Sequence, residues 1–238
     1  MCGICGFINL KESARPSEAI LKRMMDALIP RGPDDAGVYI DDIAALGHRR
    51  LSIIDLVTGH QPISSEDGSK VIIYNGEVYN FHKLKEKLLE SGHRFKTHSD
   101  TEVVLHAYEE YGDKFPSYLN GMFALAIWDC RKKKLFIARD RFGKKPLYYG
   151  TFADKFIFGS ELKSILRHPE VRRQIDLGAL QRYLAYEYVT SPQTIFKGIN
   201  KLEAGSWLAL DGSKIHQGRY WDALPPLAEK SSSGLSVK

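Results

Sequence analysis

The apolar positions along this chain change period several times, and each change marks a predicted element. Between residues 17 and 28 they fall at Ile20, Leu21, Met24, Met25 and Leu28, one face of a helix that opens with Ser17 as its cap and stops at Pro30. A turn-rich loop, RGPDDAG, covers 31–37, and strand-like runs at 37–40 and 43–46 flank Asp41-Asp42. Residues 71–74 read as a short apolar strand that ends at Asn75-Gly76, a turn signal by composition. Asn80 is placed to cap a helix carrying Phe81, Leu84, Leu88 and Leu89, which ends at Ser91-Gly92. Ser99-Asp100-Thr101-Glu102 has the form of a capping box ahead of Val104, Ala107, Tyr108 and Tyr111.

From Met122 the pattern becomes nearly continuous. The run at 122–128, then KLFIARD, LYYG and KFIFGS, suits strands covered on both faces, the first two joined by a polar turn around 131–133. Helical signals follow at 161–166 and 177–186, and strands at 206–210 and 215–221 are joined across Asp211-Gly212. Antiparallel strands with helices grouped in pairs, without βαβ alternation or a Gly-rich dinucleotide fingerprint, predict one α+β domain of layered sheets. After Trp221 the composition shifts to Pro225-Pro226 and a Ser-rich stretch, the character of a linker or tail over 222–238.

Composition narrows the function classes. At 238 residues and 43% hydrophobic the chain can bury a large core, yet it has no run near the roughly 18 apolar residues of a membrane span and no secretory signal. The net charge of +5 is scattered apart from clusters at 131–134 and 139–145. Neither cluster is interleaved with aromatics, so both read as solvated surface rather than a nucleic-acid site. Three cysteines are too few for a disulfide framework and predict a reducing, cytoplasmic setting.

The N-terminus, MCGICGF, carries the candidate chemistry. A CxxC metal site would need a second pair of ligands that Cys130 does not supply, and a redox CxxC is expected to open a helix, whereas 4–8 read as a strand. An inert Cys2 at a frayed end remains open. So does a third reading. With Met1 removed, Cys2 would carry thiol and α-amine on one residue, and an amine with an ordinary pKa of roughly 7.7–8.0 can take the thiol proton at neutral pH. A thiolate attacking an amide also needs donors for the developing oxyanion, which YNGEVYN offers as the Asn75 side chain and the Gly76 N–H. In HRRLSIIDL an arginine is available for a carboxylate, and Asp100 or Glu77 for an ammonium.

Taken together, MCGICGF, RGPD, HRRLSIIDL, YNGEVYN, HSDTE, GMFALAIWD and RDRFGKKPLYY resemble the glutaminase domain of glutamine-hydrolysing asparagine synthetases, class II amidotransferases of the N-terminal nucleophile superfamily. The resemblance covers residues 2–221 and implies a four-layer αββα sandwich of two antiparallel sheets. It implies Cys2 as nucleophile with its α-amine as base, Asn75 and Gly76 as oxyanion hole, and Arg50 as clamp for the glutamine carboxylate. Backbone around Ile53 and Ile54 would line the pocket, and Glu77 and Asp100 would hold the ammonium; Arg49 and Cys5 are left structural.

Glutamine hydrolysis of this kind needs no metal or cofactor, whereas ATP and Mg belong to the synthetase domain. That domain's SGGxDS loop is absent from these residues, so the chain is expected to be the front of a longer asparagine-making enzyme. The alternatives are a free-standing subunit, an enzyme amidating another carboxylate, or a non-catalytic interaction domain that retains Met1. Expected partners are glutamine and a synthetase domain or subunit, with a homodimer as a possible assembly, and with neither nucleic acid nor membrane.

Overall fold

A computed structural model describes residues 1–11, 15–52 and 59–224. Twelve strands form two six-stranded antiparallel sheets. The first sheet contains β1 (Gly3–Asn9), β2 (Asp35–Ile40), β3 (Ala44–Arg50), β8 (Tyr148–Phe152), β9 (Lys155–Gly159) and β10 (Asn200–Lys201), in the order β10-β8-β9-β1-β3-β2. The second contains β4 (Ile63–Ser64), β5 (Lys70–Val78), β6 (Gly121–Asp129), β7 (Lys134–Arg139), β11 (Ser206–Asp211) and β12 (Lys214–Arg219), in the order β12-β11-β7-β6-β5-β4. Helices α1 (Glu18–Asp26) and α4 (Leu162–Ile165) cover the first sheet; α2 (Phe81–Glu90) and α3 (Asp100–Tyr111) cover the second. Helix α5 (Leu177–Tyr186) buries little beyond Ala179.

Three apolar layers account for this stacking. The middle one joins Ile4, Ile8, Ala44 and Leu46 of the first sheet to Val71, Ile73, Ala126 and Ile137 of the second. Because strand side chains alternate, the neighbouring positions face outward: Cys5, Phe7 and Ala45 pack under Leu21, Met24 and Met25 of α1, while Ile72, Tyr74 and Val78 pack under Leu84 of α2 and Val104 of α3. Both faces of the central strands are therefore buried, which is why their sequences are apolar runs rather than alternating ones. The α+β fold is the four-layer αββα arrangement.

Several local expectations change. Strand β5 continues through Asn75-Gly76 to Val78, so this Asn-Gly is not a turn. Glycine is required there for another reason: a Cβ on Gly76 would lie 2.4 Å from the Met122 carbonyl oxygen of β6. The capping box is only half made. Ser99 accepts from Thr101 N–H, but Glu102 accepts from the Lys96 and Thr97 N–H groups and so holds the preceding loop. Ser17 and Asn80 occupy cap positions without a side-chain cap bond. Two members of the cluster at 139–145 depart from solvated surface, since Arg139 donates to three backbone carbonyls and Lys145 is buried, while Lys144 is exposed. The last strand stops at Arg219.

Candidate active site

The start of β1 lies against the second half of β5, and a pocket of about 100 Å³ opens between the two sheets there. It is lined by Cys2, Arg50, Asn75, Gly76, Glu77 and Asp100, six of the eight residues singled out in the sequence. Ile53 and Ile54 lie outside the described residues.

Alternation decides who enters. In β3, Ala44 and Leu46 face the second sheet, which places His48 and Arg50 on the same inner face and Arg49 on the other. His48 spans the gap, its Nε2 3.1 Å from the Tyr74 carbonyl oxygen. Burial pushes its pKa down to about 3, so this imidazole is a neutral strut rather than an acid or base.

Strand β5 is the source of two unpaired donors. Asn75 is buried among the inward-facing residues, and its Nδ2 has no hydrogen-bond partner among the described residues. The Gly76 N–H follows from the ladder. Phe123, opposite Gly76, directs its own N–H and C=O to Asp140, so Gly76 and Phe123 form a pair that does not exchange hydrogen bonds. The same alternation turns Tyr74 and Val78 away from β6, and their N–H groups are taken by Gln61 Oε1 at 2.7 Å and Asp100 Oδ2 at 2.9 Å. Strand β4 pairs only with residues 71 and 72, and no such acceptor meets Gly76 among the described residues. A side-chain amide and a backbone N–H thus face one pocket with a thiol, the donor set an oxyanion requires.

Acidic groups occupy the far side. Asp100 opens α3 and is 6% exposed; Tyr74 Oη donates to its Oδ2 at 3.0 Å alongside Val78. Burial raises its pKa and nearby Glu77 adds to the shift, against the opposing effect of its hydrogen bonds. A cationic ligand would relieve both. Glu77 is half-buried at the rim.

The nucleophile candidate is held by its backbone. Arg31 Nε donates to the Cys2 carbonyl oxygen at 2.9 Å, and its Nη1 pairs with Glu161 at 3.1 Å, tying the N-terminus to the end of β9. Gly32 allows the loop to approach, because a Cβ there would lie 2.3 Å from the Arg49 carbonyl oxygen. Cys2 Sγ itself lies 3.7 Å from the Leu51 carbonyl oxygen. Cys5 points the other way into the helix layer, fully buried, and desolvation lifts its pKa to about 12, which removes it as a partner for Cys2.

Sequence reasoning missed Arg31, Gln61 and Lys145. Arg31 and Lys145 belong to RGPD and RDRFGKKPLYY, where the motifs themselves were the signal. Lys145 shares the pocket with Cys2, its pKa lowered by desolvation and by the Arg31 guanidinium. Gln61, which also reaches Thr101 Oγ1 at 3.3 Å, carries no local signal, since its role exists only once β5 and α3 are adjacent.

Residues 1–221 match the family described as "Glutamine amidotransferase domain". The chain belongs to that family. Among the relatives of this amidotransferase domain, asparagine synthetase [glutamine-hydrolyzing] 3 of Bacillus subtilis is 39% identical over 225 residues, covering 93% of this chain and 37% of that protein. Asparagine synthetase [glutamine-hydrolyzing] 2 of the same organism is 44% identical over 219 residues, covering 89% and 29%. The chain thus spans about a third of the length of these relatives. A solved structure titled as the allosteric regulatory enzyme of purine biosynthesis superposes with a TM-score of 0.67 at 20% identity, over 92% of this chain and 49% of that one, and shows the shared fold. Among the described residues no helix is long and apolar enough to cross a membrane.

Proposed function

We propose that residues 2–221 hydrolyse glutamine to glutamate and ammonia, with Cys2 as nucleophile. In the longer protein, which residues 222–238 would connect to an ATP- and Mg-using synthetase domain, the ammonia would convert aspartate to asparagine. The observation that carries this reading is the pairing of a pocket thiol with Asn75 Nδ2, unpaired among the described residues, and with the Gly76 N–H that the ladder turns away from β6, opposite a buried arginine and two carboxylates.

Met1 is 54% exposed at the pocket rim and open to removal. The α-amine so created on Cys2 accepts the thiol proton, and Sγ attacks the side-chain carbonyl carbon of glutamine. Negative charge on the carbonyl oxygen is met by Asn75 and Gly76, donors that need no rearrangement because nothing else among the described residues engages them. The proton passes from the α-amine to the amide nitrogen, the carbon–nitrogen bond breaks and ammonia departs, leaving a γ-glutamyl thioester. Water, deprotonated by the same amine, then releases glutamate and the thiol. Arg50 takes the substrate α-carboxylate, while Asp100 and Glu77 take the α-ammonium. The chemistry requires Cys2 to remain a thiol, as a reducing cytoplasm would keep it.

Intact mass before and after treatment with 6-diazo-5-oxo-norleucine tests this, with Cys2→Ala as control. Expected is a chain without Met1 that gains a single adduct, lost in the variant. Retained Met1, or an adduct independent of Cys2, would overturn the assignment and favour a non-catalytic domain.

A further inference from the structure

On the outer face of the second sheet, α3 presents Glu102, His106 and Glu109 along one side, spaced four and three residues apart. The segment following α2 brings His93 to the same place. His106 is 2% exposed, while the side chains of His93 and Glu109 are 17% and 19% exposed. Both imidazoles turn Nδ1 toward one atom, Glu109 Oε2: His106 Nδ1 is 2.8 Å from it and His93 Nδ1 is 3.9 Å. The ligating atoms of the three residues lie within 4.8 Å of one another. The opposite ring nitrogens each face a further carboxylate. His93 Nε2 is 3.2 Å from Glu110 Oε2, and His106 Nε2, buried without a hydrogen-bond partner among the described residues, is 3.9 Å from Glu102 Oε1.

We propose that His93, His106 and Glu109 form a binding site for a divalent transition metal of the zinc class, with solvent in the fourth position. Two imidazoles and one carboxylate suit such an ion. Tetrahedral bonds of about 2.0–2.1 Å place ligand atoms about 3.3 Å apart. The 2.8 Å contact would lengthen and the 3.9 Å contact shorten, each by about half an ångström, and the two imidazole nitrogens, no more than 4.8 Å apart, would close to the same spacing by side-chain rotation. The outer carboxylates give the arrangement its second half: a metal on each Nδ1 leaves the proton on Nε2, directed at Glu110 or Glu102, the carboxylate–histidine–metal relation that fixes tautomer and ring orientation. Lys70 Nζ lies 3.4 Å from Glu109 Oε1, the oxygen not facing the histidines, and so holds the carboxylate for monodentate ligation through Oε2. Bound metal would clip the segment after α2 to the helix whose first residue is Asp100.

Cobalt(II) titration of the full chain in a Cys2→Ala/Cys130→Ser background, which removes the two accessible thiols, tests the site independently of glutamine chemistry. The expected result is one equivalent bound with the visible absorption of tetrahedral cobalt, displaced by zinc. His93→Ala and Glu109→Gln, both at partly exposed positions and checked for folding by circular dichroism, should abolish saturable binding. Glu110→Gln should weaken it by about 10–100-fold. No saturable absorption, or absorption unchanged in both ligand variants, would show an ion-pair cluster and overturn the proposal.

Discussion

Asn75→Ala separates a catalytic donor from a structural one, because the two roles predict opposite pairs of results. Asn75 is 1% exposed and its Nδ2 is unpaired among the described residues. Leaving a buried donor unsatisfied costs about 1–3 kcal/mol in the native state, a cost that the alanine variant removes. Against this stands the small cavity left by the lost amide, a term of similar size and opposite sign. Net stability should therefore change by no more than about 1 kcal/mol, a melting shift within about 2–4 °C for a domain of this size. Turnover should behave quite differently. Removing one preorganised oxyanion donor costs about 100- to 1000-fold in kcat, or roughly 2.7–4 kcal/mol of transition-state stabilisation. The interaction is made only as charge develops, so KM for glutamine should move little. Glutamate release measured under saturating glutamine, paired with calorimetric melting of the same preparations, provides both quantities. A variant that keeps kcat within about threefold of the parent would refute the oxyanion assignment, since that loss is under 1 kcal/mol. So would one that melts far lower, because Asn75 would then be a fold determinant.

Two titrating groups give further tests. His48 is held near 3 by burial, against an ordinary 6.5, so the unfolded chain binds the extra proton as pH falls below 6.5 and native stability declines from there towards pH 3. Between pH 7 and pH 5 this one residue should remove about 2 kcal/mol, and urea denaturation of His48→Gln should show a correspondingly shallower loss; identical slopes would exclude the buried neutral strut. The raised Asp100 pKa places the acid limb of kcat/KM for glutamine above the usual carboxylate range, because a protonated Asp100 cannot hold the substrate ammonium. Asp100→Asn should lower kcat/KM by about 10–100-fold, mainly through KM, and abolish that limb; an unchanged limb would assign it to another group.

The set of elements and the chemical inventory are legible along the chain. Doubly buried strands reveal themselves as apolar runs and helices by their recurring face, while Cys2, Arg50, Asn75, Gly76, Glu77 and Asp100 stand in motifs whose resemblance to an amidotransferase domain marks them. Local signals failed where a neighbour supplied the reason. Asn75-Gly76 has turn composition, yet lies within a strand because Gly76 answers to the Met122 carbonyl of the adjacent strand. Lys145 and Arg139 read as surface charge, and only packing shows Lys145 buried and the Arg139 guanidinium spent on backbone carbonyls. Gln61, the open Gly76 N–H and the convergence of His93 on α3 depend on which strand ends at an edge and which helix lies beside it. Those relations join residues distant in sequence, and a one-dimensional pattern has no term for them. Tertiary structure decided them because a hydrogen bond or a ligand set is completed only when both halves share one place.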